Sequence, residues 1–322
     1  MIIAYIVRKT LEPREIAAGN SDFLKEAVWV DLISPSIEEE KLVEQVMNLG
    51  IPSRAEMAEI ETSSRLYKEH NTLFMTAAMI AQGDTSEPKL DPITFVLTDK
   101  QLVTIRYIEP QAFKTFSAHL YKLESSEQNA FHLFIGLLDA SIDRLADLLE
   151  LVGHRLDAYS KTIFRPTDDT SEKIDYKKLM QEIGANGDLT TKARESLINL
   201  NRLVAFFGQT TIAKTGTEEH PHVATQSKDI VALSDHAHFL SSKISFLLDA
   251  TLGMVNIEQN NIIKIFSVAA VIFLPPTLIA SIYGMNFHIP ELSWKFGYGY
   301  SLVLMVLAAL LPFRYAKYKK WL

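Results

Sequence analysis

The stretch Ile265–Phe313, IFSVAAVIFLPPTLIASIYGMNFHIPELSWKFGYGYSLVLMVLAALLPF, holds two apolar runs, Ile265–Ile282 and Phe296–Phe313, each eighteen residues long without a charged side chain. As a helix each run is about 27 Å long, enough to cross the hydrocarbon of a bilayer. A buried core helix is the other reading of such a run. Two side by side, followed at once by Arg314, Lys317, Lys319, Lys320 and Trp321, favour a membrane hairpin. The basic cluster with Tyr315, Tyr318 and Trp321 marks a cytosolic helix end, so the C terminus is expected in the cytosol and, across a two-span hairpin, the N terminus with it.

Charge divides the chain in the same place. Residues 265–322 carry Lys295 and the four tail cations against Glu291 alone; of the overall −7, residues 1–264 therefore hold 27 basic and 38 acidic side chains, a net −11. So acidic a body is a poor partner for nucleic acid. Its opening, MIIAYIVRKTLEPRE, has neither the basic nor the apolar segment of a signal peptide. The absence of cysteine excludes disulfides and thiolate metal sites.

Within the body two patterns follow one another. Residues 1–125 mix strand-like runs at Ile2–Val7, Val28–Leu32, Leu73–Ile80, Ile93–Thr98 and Leu102–Arg106 with helical ones near Ile37–Leu49, Ser53–Thr62 and Gln111–Leu123, predicting a mixed α/β cytosolic domain. From Asn129 the pattern is helical, with breaks at Arg165–Asp169 and at Lys214–Pro221. Residues 126–222 are then a long-helix region. A third helix over 223–283 runs without interruption into the first span at about 263–283, an extracytoplasmic loop occupies 284–295, the second span 296–314, and a basic cytosolic tail 315–322.

Stepping four and three residues along that third helix picks out Asp249, Gly253, Asn256, Asn260, Ile263, Ser267, Ala270, Leu274, Thr277 and Ser281, a mostly small or polar stripe between greasy faces. A period of 3.5 implies copies of the helix packed around one another. Small residues in a membrane also serve close helix contact. Asn, Ser and Thr at membrane depth, however, are most easily placed around a water-filled axis, which one copy cannot enclose. Pro275-Pro276 interrupts the backbone ladder in the outer half. The stripe has no Asp, Glu, Cys or His in the membrane, so it offers a naked cation no strong ligand. Carbonyl oxygens of Asn286 and Gly284 suit a hydrated divalent ion, with Gly284 expected to leave the helix at positive φ.

Tyr283-Gly284-Met285-Asn286-Phe287, followed by Pro290-Glu291-Leu292, Trp294 and Phe296-Gly297-Tyr298, and preceded by Asn256-Ile257-Glu258-Gln259-Asn260 and Phe273-Leu274-Pro275-Pro276-Thr277, resembles the CorA family of magnesium transporters, and the closing Lys319-Lys320-Trp321-Leu322 fits as well. The match is strong over Asn256–Leu322. It is looser in Val28-Trp29-Val30-Asp31-Leu32 and Glu59-Ile60-Glu61.

The resemblance implies a homopentamer with a cytosolic funnel in a bacterial inner membrane, the first span lining the pore, and passive Mg²⁺ influx with Co²⁺ and Ni²⁺ as secondary substrates. Gly284, Met285 and Asn286 become the selectivity filter, with Asn286 holding hydrated Mg²⁺ by outer-shell contacts. Asn260, Leu274 and Thr277 fall at the family's pore-lining positions, and the gate is expected at Leu274 and Ile263. Cytosolic Mg²⁺ bound between neighbouring subunits would hold the pore closed. Glu59 matches one acidic position of that site, and Asp229 is chosen as its partner on the long helix. His288 stands where some relatives carry an acid, leaving Glu291 as the loop's one carboxylate.

Other constellations carry less. Gly208–Thr215 is one residue short of a phosphate-binding loop, Ala213 replacing the required glycine, and it ends a helix instead of joining strand to helix. Asp139, Asp143, Asp147, Glu150 and Asp157 share a helix face that reads as solvated or as a reservoir for Mg²⁺. His220 and His222, like His236 and His238, are spaced by two and do not share a helix face as metal ligands should. No nucleophile with a base emerges and no cofactor is called for, so an enzyme is not expected. A zinc or Co²⁺/Ni²⁺ transporter of the same architecture and a membrane-anchored sensory scaffold remain as alternatives.

Overall fold

Among the described residues seven strands pair in the order β2-β1-β3-β7-β6-β5-β4, the five inner ones where β-branched and aromatic residues run together. They are β1 (Ile2–Val7), β2 (Leu11–Ile16), β3 (Ala27–Ile33), β4 (Leu66–Glu69), β5 (Thr72–Ala81), β6 (Lys89–Leu97) and β7 (Leu102–Arg106). The computed structural model describes residues 1–7, 11–16, 22–59, 61–120, 127–165, 174–211, 220–286 and 288–319. Among the described strands only β3 and β7 pair in parallel, with Asp31 opposite Thr104.

Both faces of the sheet are covered, which is why β7 is buried at every position instead of alternating. On one face Ile2, Ala4, Val30, Val103 and Ile105 meet Leu24 of α1 (Asp22–Glu26), Val43 of α2 (Ile37–Met47) and Met57 of α3 (Arg54–Met57). On the other, Trp29 lies beside Phe113 of α5 (Gln111–His119), and Phe95 meets Phe113 and Phe134 of α6 (Ala130–Phe164). Phe134 in turn meets Phe207 of α7 (Tyr176–Thr211) edge-on at 4.8 Å.

That second face also buries a polar chain. The Arg106 guanidinium donates to Asp31 at 2.9 Å, Thr104 donates to the same carboxylate at 2.7 Å, and the Trp29 indole donates to Thr104 at 2.9 Å. Tyr5 stacks on Trp29 at 4.2 Å. Burial, and then the charge of Asp31, pushes its phenol up to about 12.

Two sequence expectations change. The helix expected over Ser53–Thr62 is two short ones, α3 and α4 (Thr62–Arg65). Ser53 and Glu56 close a capping box that starts α3, but only Met57 is buried, too little apolar surface to hold a longer helix there. Strands β2 and β4 were not anticipated from the pattern, because Glu12, Pro13, Arg14, Lys68 and Glu69 read as polar connection. Both are edge strands, where charge and proline are tolerated.

The long helices match the expected pattern. α6 is capped by the Asn129 side chain, which accepts from the His132 amide, and it ends at Phe164; residues 166–169 of the expected break, like 212–215 of the loop-like sequence, lie outside the described residues. α8 (His220–Tyr283) is one helix of 64 residues. It starts three residues earlier than expected and takes Pro221 into its first turn, where no amide hydrogen is needed.

The chain divides into two units, Met1–Leu248 and Asp249–Leu322. In the first, Leu240 of α8 lies over Gly153 of α6 and Ile244 over Gly187 of α7, and Ile230, Ala237, Leu240 and Leu247 of α8 are buried. Lys243 pairs with Asp157 at 2.6 Å. In the second, the rest of α8 is followed by a 3₁₀ turn at Pro290–Ser293 and by α9 (Gly297–Tyr318).

Candidate ion pathway

Apolar side chains in the second unit lie on the outside. Phe266 is 71% exposed, Phe273 69%, Leu278 62% and Leu311 69%. Water would not tolerate so continuous an apolar surface, and both helices are long and apolar enough to cross a membrane. The chain is a membrane protein.

On α8 the expected stripe stays open. Asn256, Asn260, Ser267, Ala270, Thr277 and Ser281 are exposed, as are Ile263 at 60% and Leu274 at 65%. Val268, Ile272, Pro275, Ile279 and Tyr283 are buried or half-buried. At 100° per residue they lie on the far side of the helix from Asn256, Leu274 and Ser281. The side of α8 that is covered within one chain is thus not the side that carries the polar residues.

Prolines 275 and 276 lie inside α8 without kinking it into two elements. Having no amide hydrogen, they leave the Val271 and Ile272 carbonyls without their usual partners. At the next residue the Thr277 hydroxyl donates to the Phe273 carbonyl at 2.7 Å, a back-bond within the helix beside the proline pair.

At the C-terminal end of α8 the Gly284 amide donates to the Ala280 carbonyl at 2.9 Å and the Met285 amide to the Ile282 carbonyl at 3.2 Å. The expectation of a positive φ at Gly284 is not met; among the described residues no glycine has one. The restriction there is space. A Cβ at Gly284 would lie 3.1 Å from the Ala280 carbonyl oxygen, tighter than ordinary contact. Met285 is 49% exposed and Asn286 is exposed beside it. Sequence reasoning passed over Gly297, whose Cβ would sit 2.2 Å from the Glu291 carbonyl oxygen. With the Gly297 amide donating to Trp294 at 3.1 Å, this glycine closes the loop that returns the chain to α9. The signal was present in Phe296-Gly297-Tyr298, but spacing alone does not disclose a close backbone approach.

The candidates for binding a closing ion are on the surface. Glu59 is exposed after α3, its backbone carbonyl accepting from Arg65, and Asp229 is exposed on α8. Asp229 belongs with the acidic face of α6: burial first, then Asp139, Asp147 and Asp229, raises the Asp143 carboxyl above its usual range. That face is partly satisfied, not purely solvated. Asp139 accepts from Gln226 at 2.8 Å and pairs with His222 at 2.7 Å. Among the described residues of one chain, no group of three or more His, Asp and Glu is placed to hold a metal ion.

A family model described as CorA-like Mg²⁺ transporter protein matches residues 25–317. The chain belongs to the CorA-like Mg²⁺ transporter family. It is 34% identical to the magnesium transport protein CorA of Pasteurella multocida over 300 residues, covering 93% of each chain. Against the protein of that name from Salmonella typhimurium it is 32% identical over 323 residues, covering 100% of both. The complete structure of the CorA magnesium transporter from Methanocaldococcus jannaschii has the same fold, with a TM-score of 0.75, 17% identity and coverage of 100% of this chain and 99% of that one. The CorA resemblance read from Asn256–Leu322 thus extends over nearly the whole chain.

Proposed function

We propose that this chain is a magnesium channel that admits Mg²⁺ passively down its electrochemical gradient, with Co²⁺ and Ni²⁺ as secondary substrates. The observation that carries the reading is the exposed stripe Asn256–Ser281, which leads along α8 to Gly284-Met285-Asn286 in a chain of the CorA family. Copies of α8 arranged as a ring, five by family resemblance, turn that stripe inward and give its polar groups a common aqueous axis. Asn286 side chains and Gly284 carbonyls then face a hydrated ion with neutral acceptors, which suits Mg²⁺ because it sheds its water reluctantly. Leu274 and Ile263 are the narrow apolar levels of the same wall and serve as its gate.

Control comes from the acidic cytosolic unit. Glu59 and Asp229 are exposed on single chains and act as ligands for a closing Mg²⁺ between neighbouring subunits. The protein lies in the bacterial inner membrane with both termini cytosolic, the orientation favoured by Arg314, Lys317, Lys319 and Lys320. Zinc transport and a pure anchoring role are less well supported, since full-length relatives at 32–34% identity bear the name magnesium transport protein. The test is Mg²⁺ entry into vesicles holding the purified protein. Entry that depends on the protein supports the channel; none at any gradient refutes it.

A further inference from the structure

A cavity of about 260 Å³ opens between α8 and α9 at the basic end of the hairpin. Its mostly apolar wall is made by Val268, Val271, Pro312 and Ala316 with Lys264 and Tyr315, and on its other side it reaches Ile263 and Ser267 at the border of the exposed stripe. Among the described residues, Lys264 has no ion-pair partner. Arg314 and Lys317 stand on the same end of α9 as Tyr315. A smaller engineered apolar cavity, of about 150 Å³, takes up benzene, so this one has room for part of a hydrocarbon chain.

We propose that this cavity is a binding site for an anionic phospholipid of the leaflet at the basic end, its acyl chain against Val268, Val271 and Ala316 and its phosphate on Lys264. The proposal rests on the membrane hairpin and not on ion conduction. Charge complementarity selects the occupant. An acyl chain alone would be served by apolar walls, but a lysine lining a cavity between two spans, with no ion-pair partner among the described residues, is a headgroup partner, and basic pockets of this kind at the cytoplasmic side hold anionic lipids. Tyr315 suits the same depth, as aromatic residues do at a membrane–water interface. Pro312 shapes the opening, because its ring replaces an amide hydrogen and gives α9 a flat, apolar side there.

The experiment measures lipid retained by the purified full-length protein, by mass spectrometry of the intact assembly after delipidation and titration with phosphatidylglycerol or phosphatidylcholine. The expected result is preferential retention of phosphatidylglycerol, reduced about fivefold by Lys264→Gln and kept by Lys264→Arg. Val271→Phe, which fills the cavity, should abolish retention of either lipid at unchanged oligomer mass. Equal retention of the two lipids by the unmodified protein, or undiminished preference in Lys264→Gln, would overturn the assignment. So would a Val271→Phe protein that keeps its lipid, or one that loses its oligomer mass where the unmodified protein retains no lipid, since a second copy of the chain then occupies the cavity. Lack of Mg²⁺ flux in the same preparation would count against the channel and leave the lipid site standing.

Discussion

Asp31→Ala tests whether the buried chain across β3 and β7 holds the first unit, Met1–Leu248, together. Asp31 and Arg106 side chains are 2% and 7% exposed, and the guanidinium reaches the carboxylate through contacts of 2.9, 3.1 and 3.2 Å. Removing the carboxylate strands a buried cation and also takes the acceptor from Thr104, which donates to Asp31 at 2.7 Å. Loss of one partner of a buried pair costs about 3–5 kcal/mol. For a unit of this size the melting temperature moves about 2–4 °C per kcal/mol, giving a drop on the order of 10 °C. Trp29, fully buried and hydrogen-bonded to Thr104, reports the transition by its fluorescence. The double variant Asp31→Ala with Arg106→Met should recover most of the loss, because it leaves no unpaired charge. A single variant within about 1 kcal/mol of the original protein, or a double variant as unstable as the two single effects added, would refute the account.

Three further outcomes follow from the same geometry. The folded protein holds the Asp143 proton more tightly than the unfolded chain does, so ionising this group costs stability as pH rises from 3.8 through its raised folded value. Asp143→Asn should therefore raise the melting temperature above that window and leave it unchanged below, as melts at pH 3.5 and 7.5, roughly either side of the carboxylate range, will tell. Gly284→Ala must displace the helix end by a few tenths of an ångström to relieve the 3.1 Å approach to Ala280, and should lose most Mg²⁺ flux while assembling normally; full flux would remove the close-approach argument. Glu59→Ala should raise the internal Mg²⁺ needed to close the channel about tenfold, a typical coupling, and an unchanged closing concentration would take Glu59 out of the control site.

The membrane hairpin and α8 were legible because both rest on long, uniform signals. Two uncharged, largely apolar runs side by side with a basic cluster after them favour one reading, and no proline interrupts the chain between Val223 and Leu274. The strands legible in advance are the inner ones, such as β7, whose LVTIR is buried throughout. The edges escaped notice because LEPREI and LYKE owe their pairing to neighbours and not to their own composition. In the candidate pathway the residues were legible and the reasons were partly not. The stripe follows from periodicity, whereas the crowding at Gly284 and Gly297 depends on carbonyls of Ala280 and Glu291 that sequence spacing does not locate. Likewise the acidic face on α6 was visible, but not that His222 and Gln226 of α8 would engage Asp139.

The Asn256–Ser281 stripe and the Gly284-Met285-Asn286 mouth are expected to conduct hydrated Mg²⁺. The direct measurement is divalent entry into vesicles with the purified protein, comparing Mg²⁺ with Co²⁺, Ni²⁺ and Zn²⁺ for the original chain and for Asn286→Ala. The account predicts Mg²⁺ entry with slower Co²⁺ and Ni²⁺, and loss of Mg²⁺ selectivity in the variant. Protein that moves no divalent ion, or an Asn286→Ala variant with unchanged Mg²⁺ uptake, would contradict it.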